Sequence, residues 1–172
     1  MTADLEALAT SRLLLSRPHE RDLADLVALH ADPRVMATLG GVRDAAATEA
    51  QLRDFDAHWE RHGFGPWIVR DPESRRFLGR GGLRHVGVEG RDEVELLYAL
   101  AADAWGRGYA GELARESIRV AFEILRLPEL VCFTLPTNER SLAVMRRAGF
   151  QYQRDFLHAG QPHRLHRLRS PS

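Results

Sequence analysis

Gly106, Gly108 and Gly111 fall within six residues, between a run that alternates like a strand (94–100) and a run with helical periodicity (112–125). Few patterns restrict a chain this strongly. Glycine lets the backbone turn sharply and bring its N–H groups close to a ligand. A helix that follows aims its unpaired N–H groups, and the positive end of its dipole, at the same spot. The stretch Trp105-Gly106-Arg107-Gly108-Tyr109-Ala110-Gly111 therefore reads as a seat for a phosphate or pyrophosphate.

The elements around it are legible from period and punctuation. Residues 1–10 read as a loose lead-in, and residues 12–16 as a first strand ending before Pro18. Leu23, Leu26, Val27 and His30 share one helical face, and Asp32-Pro33 stops the run. A second helix is expected from Thr48, where Thr48-Glu49-Ala50-Gln51 spells a capping box, to Gly63. Strands at 67–69, 77–86 and 94–100 are joined by short turns, which predicts an antiparallel meander. Gly79, Gly81 and Gly82 suggest a bulge or close backbone approach in the middle one. After the glycine loop and its helix, residues 130–135 form a strand parallel to 94–100. A helix at 139–148 starts from Asn138 and ends at Gly149, and strands at 151–157 and 163–169 close the chain. The reading is one α/β (α+β) domain over residues 1–172, with a mixed, mostly antiparallel sheet flanked by helices.

Charge narrows the function classes. The 172 residues carry 24 basic and 24 acidic side chains, so a general nucleic-acid binder is not expected. All the basic residues are arginine. Cys132 is the only cysteine, which excludes an intrachain disulfide and fits a reducing, cytoplasmic setting. No stretch has the length of a membrane span.

Gly106-x-Gly108-x-x-Gly111 also spells the dinucleotide fingerprint. That fold needs an acid about 20 positions on, at the end of the next strand, to hold a ribose. Here the strand reads Val131-Cys132-Phe133-Thr134-Leu135 and has none. A triphosphate loop would need a Lys-Ser/Thr pair, which is missing too.

The run Val94-Glu95-Leu96-Leu97-Tyr98-Ala99-Leu100 followed by Trp105-Gly106-Arg107-Gly108-Tyr109-Ala110 resembles the acetyl-CoA motif of the GNAT N-acetyltransferases. Asn138-Glu139-Arg140-Ser141 through Ala148-Gly149-Phe150 is similar to that superfamily's second CoA-contacting segment. Arg12-Leu13-Leu14-Leu15 and Trp105-Gly106 look most like the branch that acetylates ribosomal-protein N-termini. The resemblance implies splayed central parallel strands with the pantetheine arm between them. It implies a pyrophosphate on backbone N–H groups from Arg107 to Gly111, with the Arg107 side chain as an added contact. It puts the thioester oxygen on a backbone N–H near Ala99 or Leu100, at a bulge in the third strand, and implies contacts from Tyr98, Trp105, Asn138 and Ser141. The family often has Gln or Arg where Trp105 stands, and a tyrosine acid where Met145 falls.

Transfer from a thioester to an amine needs a neutral nucleophile, a stabilised oxyanion and a departing thiolate. Glu95 is the base candidate, acting through a water, because Val94 and Leu96 can desolvate it and raise its pKa. Glu93 and Glu89 are competitors, and Ser141 is the candidate near the sulfur. His58 and His62 have helical metal spacing without a third ligand, and His163 and His166 are expected at the surface; no metal is expected. The expected reaction is acetyl-CoA-dependent acetylation of a primary amine, a peptide N-terminus first. Alternatives are a small amine such as an antibiotic or polyamine, or a non-catalytic acyl-CoA-binding module. A monomer or homodimer without nucleic-acid or membrane partners is expected.

Overall fold

The apolar runs of the sequence condense into the middle of one sheet. The computed structural model describes residues 4–171. Its strands are β1 (Ala7–Ala9), β2 (Leu14–Ser16), β3 (Pro66–Arg70), β4 (Phe77–Val88), β5 (Arg91–Leu100), β6 (Glu129–Thr134), β7 (Gln151–His158) and β8 (Gln161–Arg169). They lie in the order β1-β2-β3-β4-β5-β6-β8-β7. Every neighbouring pair is antiparallel except β5 and β6, which are parallel. The helices are α1 (Leu23–Ala31), α2 (Pro33–Met36), α3 (Ala45–His62), α4 (Tyr109–Arg119) and α5 (Glu139–Ala148). The mixed, mostly antiparallel sheet and the parallel central pair agree with the expectation from sequence.

Alternation along β5 divides the sheet into two faces. Leu96 and Tyr98 pack with Leu113 of α4 and with Leu142 and Met145 of α5 in the largest core cluster. Gly81 is required there: a Cβ at that position would lie 2.7 Å from Leu113 and from Tyr98. On the opposite face Ala99 packs with Leu29, Val35 and Met36 of α1 and α2, and Arg80 lies against Phe55 of α3. No helix among the described residues is long and apolar enough to cross a membrane.

Several boundaries differ from the sequence reading, each for a local reason. Within the stretch read as a loose lead-in, Ala7–Ala9 pairs with β2 and Leu5 is buried; Met1 to Ala3 lie outside the described residues. Asp32-Pro33 ends α1 but also starts α2, because the Asp32 carboxylate accepts from the Arg34 N–H and proline suits a first helical turn. The long helix begins at Ala45, capped by Asp44, and the Thr48 box is not used; Thr48 is fully buried. The helix after the glycine loop starts three residues before Glu112, since Gly108 at φ 80° takes the cap position. It leaves the α form at Val120–Ile124, a π-helical turn. The irregularity in β4 is at its junction with β3, where the register slips between Val69 and Arg70. No such slip occurs between β4 and β5, paired without interruption from Val88/Arg91 to Gly79/Leu100; the bulge expected in the third strand is absent from that register.

Candidate active site

The site starts where β5 and β6 part. Their register contains one pair, Glu95 with Val131, and beyond it each strand keeps only its outer neighbour, β4 or β8. The Ala101 N–H donates to Leu78 O at 2.8 Å, towards β4. Alternation then turns the Ala99 N–H to β4 as well, and leaves the N–H groups of Tyr98 and Leu100 facing the gap. Of the two expected oxyanion donors, Leu100 has the suitable orientation. Buried backbone groups of this kind need partners, and an amide-bearing chain laid in the gap supplies them as an added strand would.

The glycine loop stands at the open end. Gly106 and Gly108 have φ of 73° and 80°, a region closed to most side chains. Gly108 caps α4 without any side-chain cap bond, and the first helical bond runs from Glu112 N–H to Gly108 O. The N–H groups of Tyr109, Ala110 and Gly111 are thus free of helical partners. Arg107 is exposed, and its carbonyl accepts from Arg12 Nη1 at 2.8 Å. Trp105 donates its indole N–H to Leu100 O at 3.0 Å and lies under the Arg140 guanidinium, so it braces the loop against the end of β5.

Glu95 is buried and accepts from Arg84 Nε at 2.9 Å, its partner across the β4–β5 register. Burial raises its pKa above the ordinary carboxylate value, and Arg84 opposes that rise without cancelling it. Glu93 and Glu89 are engaged elsewhere: Glu93 is clamped by Arg167 at 2.9 Å, which lowers its pKa, and Glu89 pairs with Arg154. Cys132 is buried, and burial pushes its thiol pKa well up, which makes it a poor nucleophile.

Across the gap, the Tyr98 hydroxyl lies 2.9 Å from Ser141 Oγ. Burial raises the Tyr98 pKa, so the phenol stays protonated. Asn138 Oδ1 accepts from Ser141 N–H at 3.2 Å as the α5 cap, and its Nδ2 donates to Thr134 Oγ1 at 3.0 Å. Those bonds tie α5 to β6 and fix where Ser141 points. Met145 is buried in the core.

Both nitrogens of His58 are in use, one with Phe64 O at 2.8 Å and the other accepting from the His85 N–H at 2.9 Å. Among the described residues no three His, Cys, Asp or Glu side chains are placed to hold a metal. His166, expected at the surface, is buried against Tyr152.

Two features escaped the sequence reading. Arg12 joins the glycine loop, because its Nε bonds Glu112 at 2.7 Å while Nη1 reaches the loop carbonyl. The other is a buried polar chain, with Arg80 Nε donating to His30 Nε2 at 3.1 Å and His30 Nδ1 meeting Thr48 Oγ1 at 3.1 Å. A buried arginine between glycines in a strand was a usable signal for it; the 95 residues separating Arg12 from Arg107 left none for the first.

Splayed parallel strands with a glycine loop at their open end are the arrangement that the resemblance to the GNAT N-acetyltransferases implies. The family model for the acetyltransferase (GNAT) domain matches residues 12–151, and the chain belongs to that family. It is therefore an acyltransferase. It is similar to YkkB from Bacillus subtilis, 29% identical over 148 residues that cover 86% of each protein. An acetyltransferase structure from Agrobacterium tumefaciens superposes with a TM-score of 0.85 at 27% identity, over 99% of this chain and 98% of that one. The ribosomal-protein-S5-alanine acetyltransferase from Vibrio fischeri shares the fold with a TM-score of 0.76 at 15% identity, over 95% and 96% of the two chains.

Proposed function

We propose that the chain transfers the acetyl group of acetyl-CoA to a primary amine by direct attack, with a peptide N-terminal α-amine as the acceptor. The observation that carries this is the β5–β6 gap, closed at Glu95/Val131 and open beyond it, with the glycine loop at its mouth. In this reading the first-turn N–H groups of α4 hold the pyrophosphate, supported by the Arg12 guanidinium beside Gly108. The N–H groups of Tyr98 and Leu100 pair with the pantetheine arm and the thioester oxygen.

Glu95 accepts the amine's proton through a water as the C–N bond forms. An α-amine with a pKa near about 8 needs only a modest base, and a carboxylate raised by burial meets that need. The Leu100 N–H stabilises the oxyanion. As the C–S bond breaks, the Ser141 hydroxyl, held by the Tyr98 phenol at 2.9 Å, donates a hydrogen bond to the thiolate, which takes its proton from solvent. The Vibrio fischeri structure is named for a ribosomal protein, while spermidine and aminoglycoside acetyltransferases share the fold equally well; the peptide is put first on the resemblance carried by Arg12-Leu13-Leu14-Leu15 and Trp105-Gly106.

The test is release of free thiol from acetyl-CoA against a panel of N-terminal peptides and small amines. Turnover with peptides is expected. Tight CoA binding with no turnover on any acceptor would identify a binding module instead.

A further inference from the structure

The face of the sheet that holds Glu95 also holds more buried positive charge than that one carboxylate answers. Arg80, Arg84 and Glu95 share that face, since Arg80 pairs in register with Ala99 and Arg84 with Glu95. Arg80 is 4% exposed. Its only hydrogen bond among the described residues is the one from Nε to the neutral His30 ring, and it has no ion pair. Its two terminal nitrogens have no protein acceptor, and neither is sealed off from solvent. Arg43 is half-buried, and it too meets only neutral acceptors, Gln51 Oε1 at 2.9 Å and Leu39 O at 3.4 Å.

An arginine largely withdrawn from water without an anion is destabilising. Burial above all, with repulsion from Arg84 and Arg43, brings Arg80 down to about 9, and Glu95 opposes that fall. A chain under no demand at this place would hold a methionine or leucine there more cheaply. The opposing carboxylates are few: Glu95 is matched to Arg84, and the exposed Asp54 sits at the rim. A cavity of about 200 Å³ opens on this side, lined by Gln51, Asp54, Phe55, His58, Arg84 and His85. Gln51 is the residue that Arg43 holds, and Phe55 is the ring under Arg80.

The position of Arg80 decides what kind of anion belongs there. Cross-strand partners stand with Cβ atoms about 5 Å apart, which puts the base of the Arg80 side chain beside Ala99, next to the Leu100 N–H that faces the gap. Glu95 lies four residues away on the same face, about 13 Å along the strand. Glu95 and the base of the Arg80 side chain thus stand at the two ends of the stretch of this face that leads to the gap.

We propose that this face takes an acceptor bearing a carboxylate a few bonds from its amine, with that carboxylate held by Arg80 and Arg43, and that it selects against polycationic amines. The inference rests on the acetyltransferase reading of the same site. Such a carboxylate comes from an acidic side chain at the start of a peptide, or from a free amino acid.

The experiment measures kcat/KM for amidated peptides that begin Ser-Glu, Ser-Ala and Ser-Lys and are otherwise identical, with free glutamate and spermidine as further arms. The glutamyl peptide is expected to exceed the lysyl peptide at least tenfold. Arg80→Met should bring that ratio to about one, since losing a hydrogen bond to a charged group changes binding by about tenfold to a hundredfold. Its melting temperature should not fall, because an unanswered buried charge has been removed. Should the variant fail to fold, Arg43→Met tests the same ratio. Free glutamate turning over faster than the glutamyl peptide assigns the carboxylate to a small molecule; the reverse assigns it to a peptide. A lysyl peptide or spermidine preferred by the native protein, or an unchanged ratio in both variants, overturns the proposal. Calorimetry of the glutamyl peptide with CoA-loaded protein separates the two readings. Absence of turnover with all acceptors, while Arg80→Met still weakens peptide binding tenfold, sinks the transferase reading alone.

Discussion

On the side of the sheet covered by α4 and α5, the groups left free are backbone N–H groups: the first turn of α4, Tyr98 and Leu100. On the side covered by α1 and α3, the polar groups are charged side chains, with Glu95 paired to Arg84 while Arg80 and Arg43 meet only neutral acceptors. The first kind of site needs only conformation, and glycine at two positive-φ positions supplies it. Charge burial has to be supported by neighbours at every point, as Arg84 supports Glu95 and His30 receives Arg80. The backbone side therefore suits a cosubstrate common to a whole family, while the charged side can change residue by residue with the acceptor.

That contrast can be broken by disturbing one side at a time. Gly108→Glu should abolish acetyl-CoA binding, by more than a hundredfold in calorimetry, because it sets a carboxylate where the pyrophosphate would rest. The positive φ adds strain of about 1–2 kcal/mol but leaves a folded protein. Unchanged affinity would move the anion seat elsewhere. Leu113→Ala, which empties the contact between α4 and Gly81, should cost about 2–5 kcal/mol in denaturant unfolding. A loss below about 1 kcal/mol would mean that the core does not position the loop.

Asn138→Ala removes the α5 cap and the bond to Thr134, and should cost about 0.5–2 kcal/mol together with affinity for acetyl-CoA. Stability loss with affinity intact would confine Asn138 to capping. The smallest effect expected is in the pH profile of Arg84→Met. In the proposed mechanism Glu95 acts as a carboxylate, so activity should fall as pH drops through its pKa, which burial raises and Arg84 restrains. Removing Arg84 should move the acidic limb of kcat/KM upward by about one pH unit or more. A limb that stays in place or moves down would name another base.

The same contrast explains what could be read before any coordinates. The glycine loop, the meander and the Asn138 cap were legible because each is a local pattern with its own geometry. Glu95 was legible as a candidate through its apolar neighbours. Arg12 was not, since its partners Glu112 and Arg107 lie about a hundred residues on and only folding brings them together. The Thr48 capping box misled because Asp44 takes the cap, which frees Thr48 to meet His30 inside the core. β1 was missed because a three-residue strand carries too little periodicity to show.

Glu95 is proposed as the group that turns a bound acetyl donor into a reaction. Single-turnover acetyl transfer by Glu95→Gln, in protein shown by calorimetry to bind acetyl-CoA as the native chain does, tests this most directly. The expected result is a rate lower by about 10²–10⁴, the range for losing a positioned general base, with affinity for the donor retained. Transfer at the native rate with the donor still bound would contradict it.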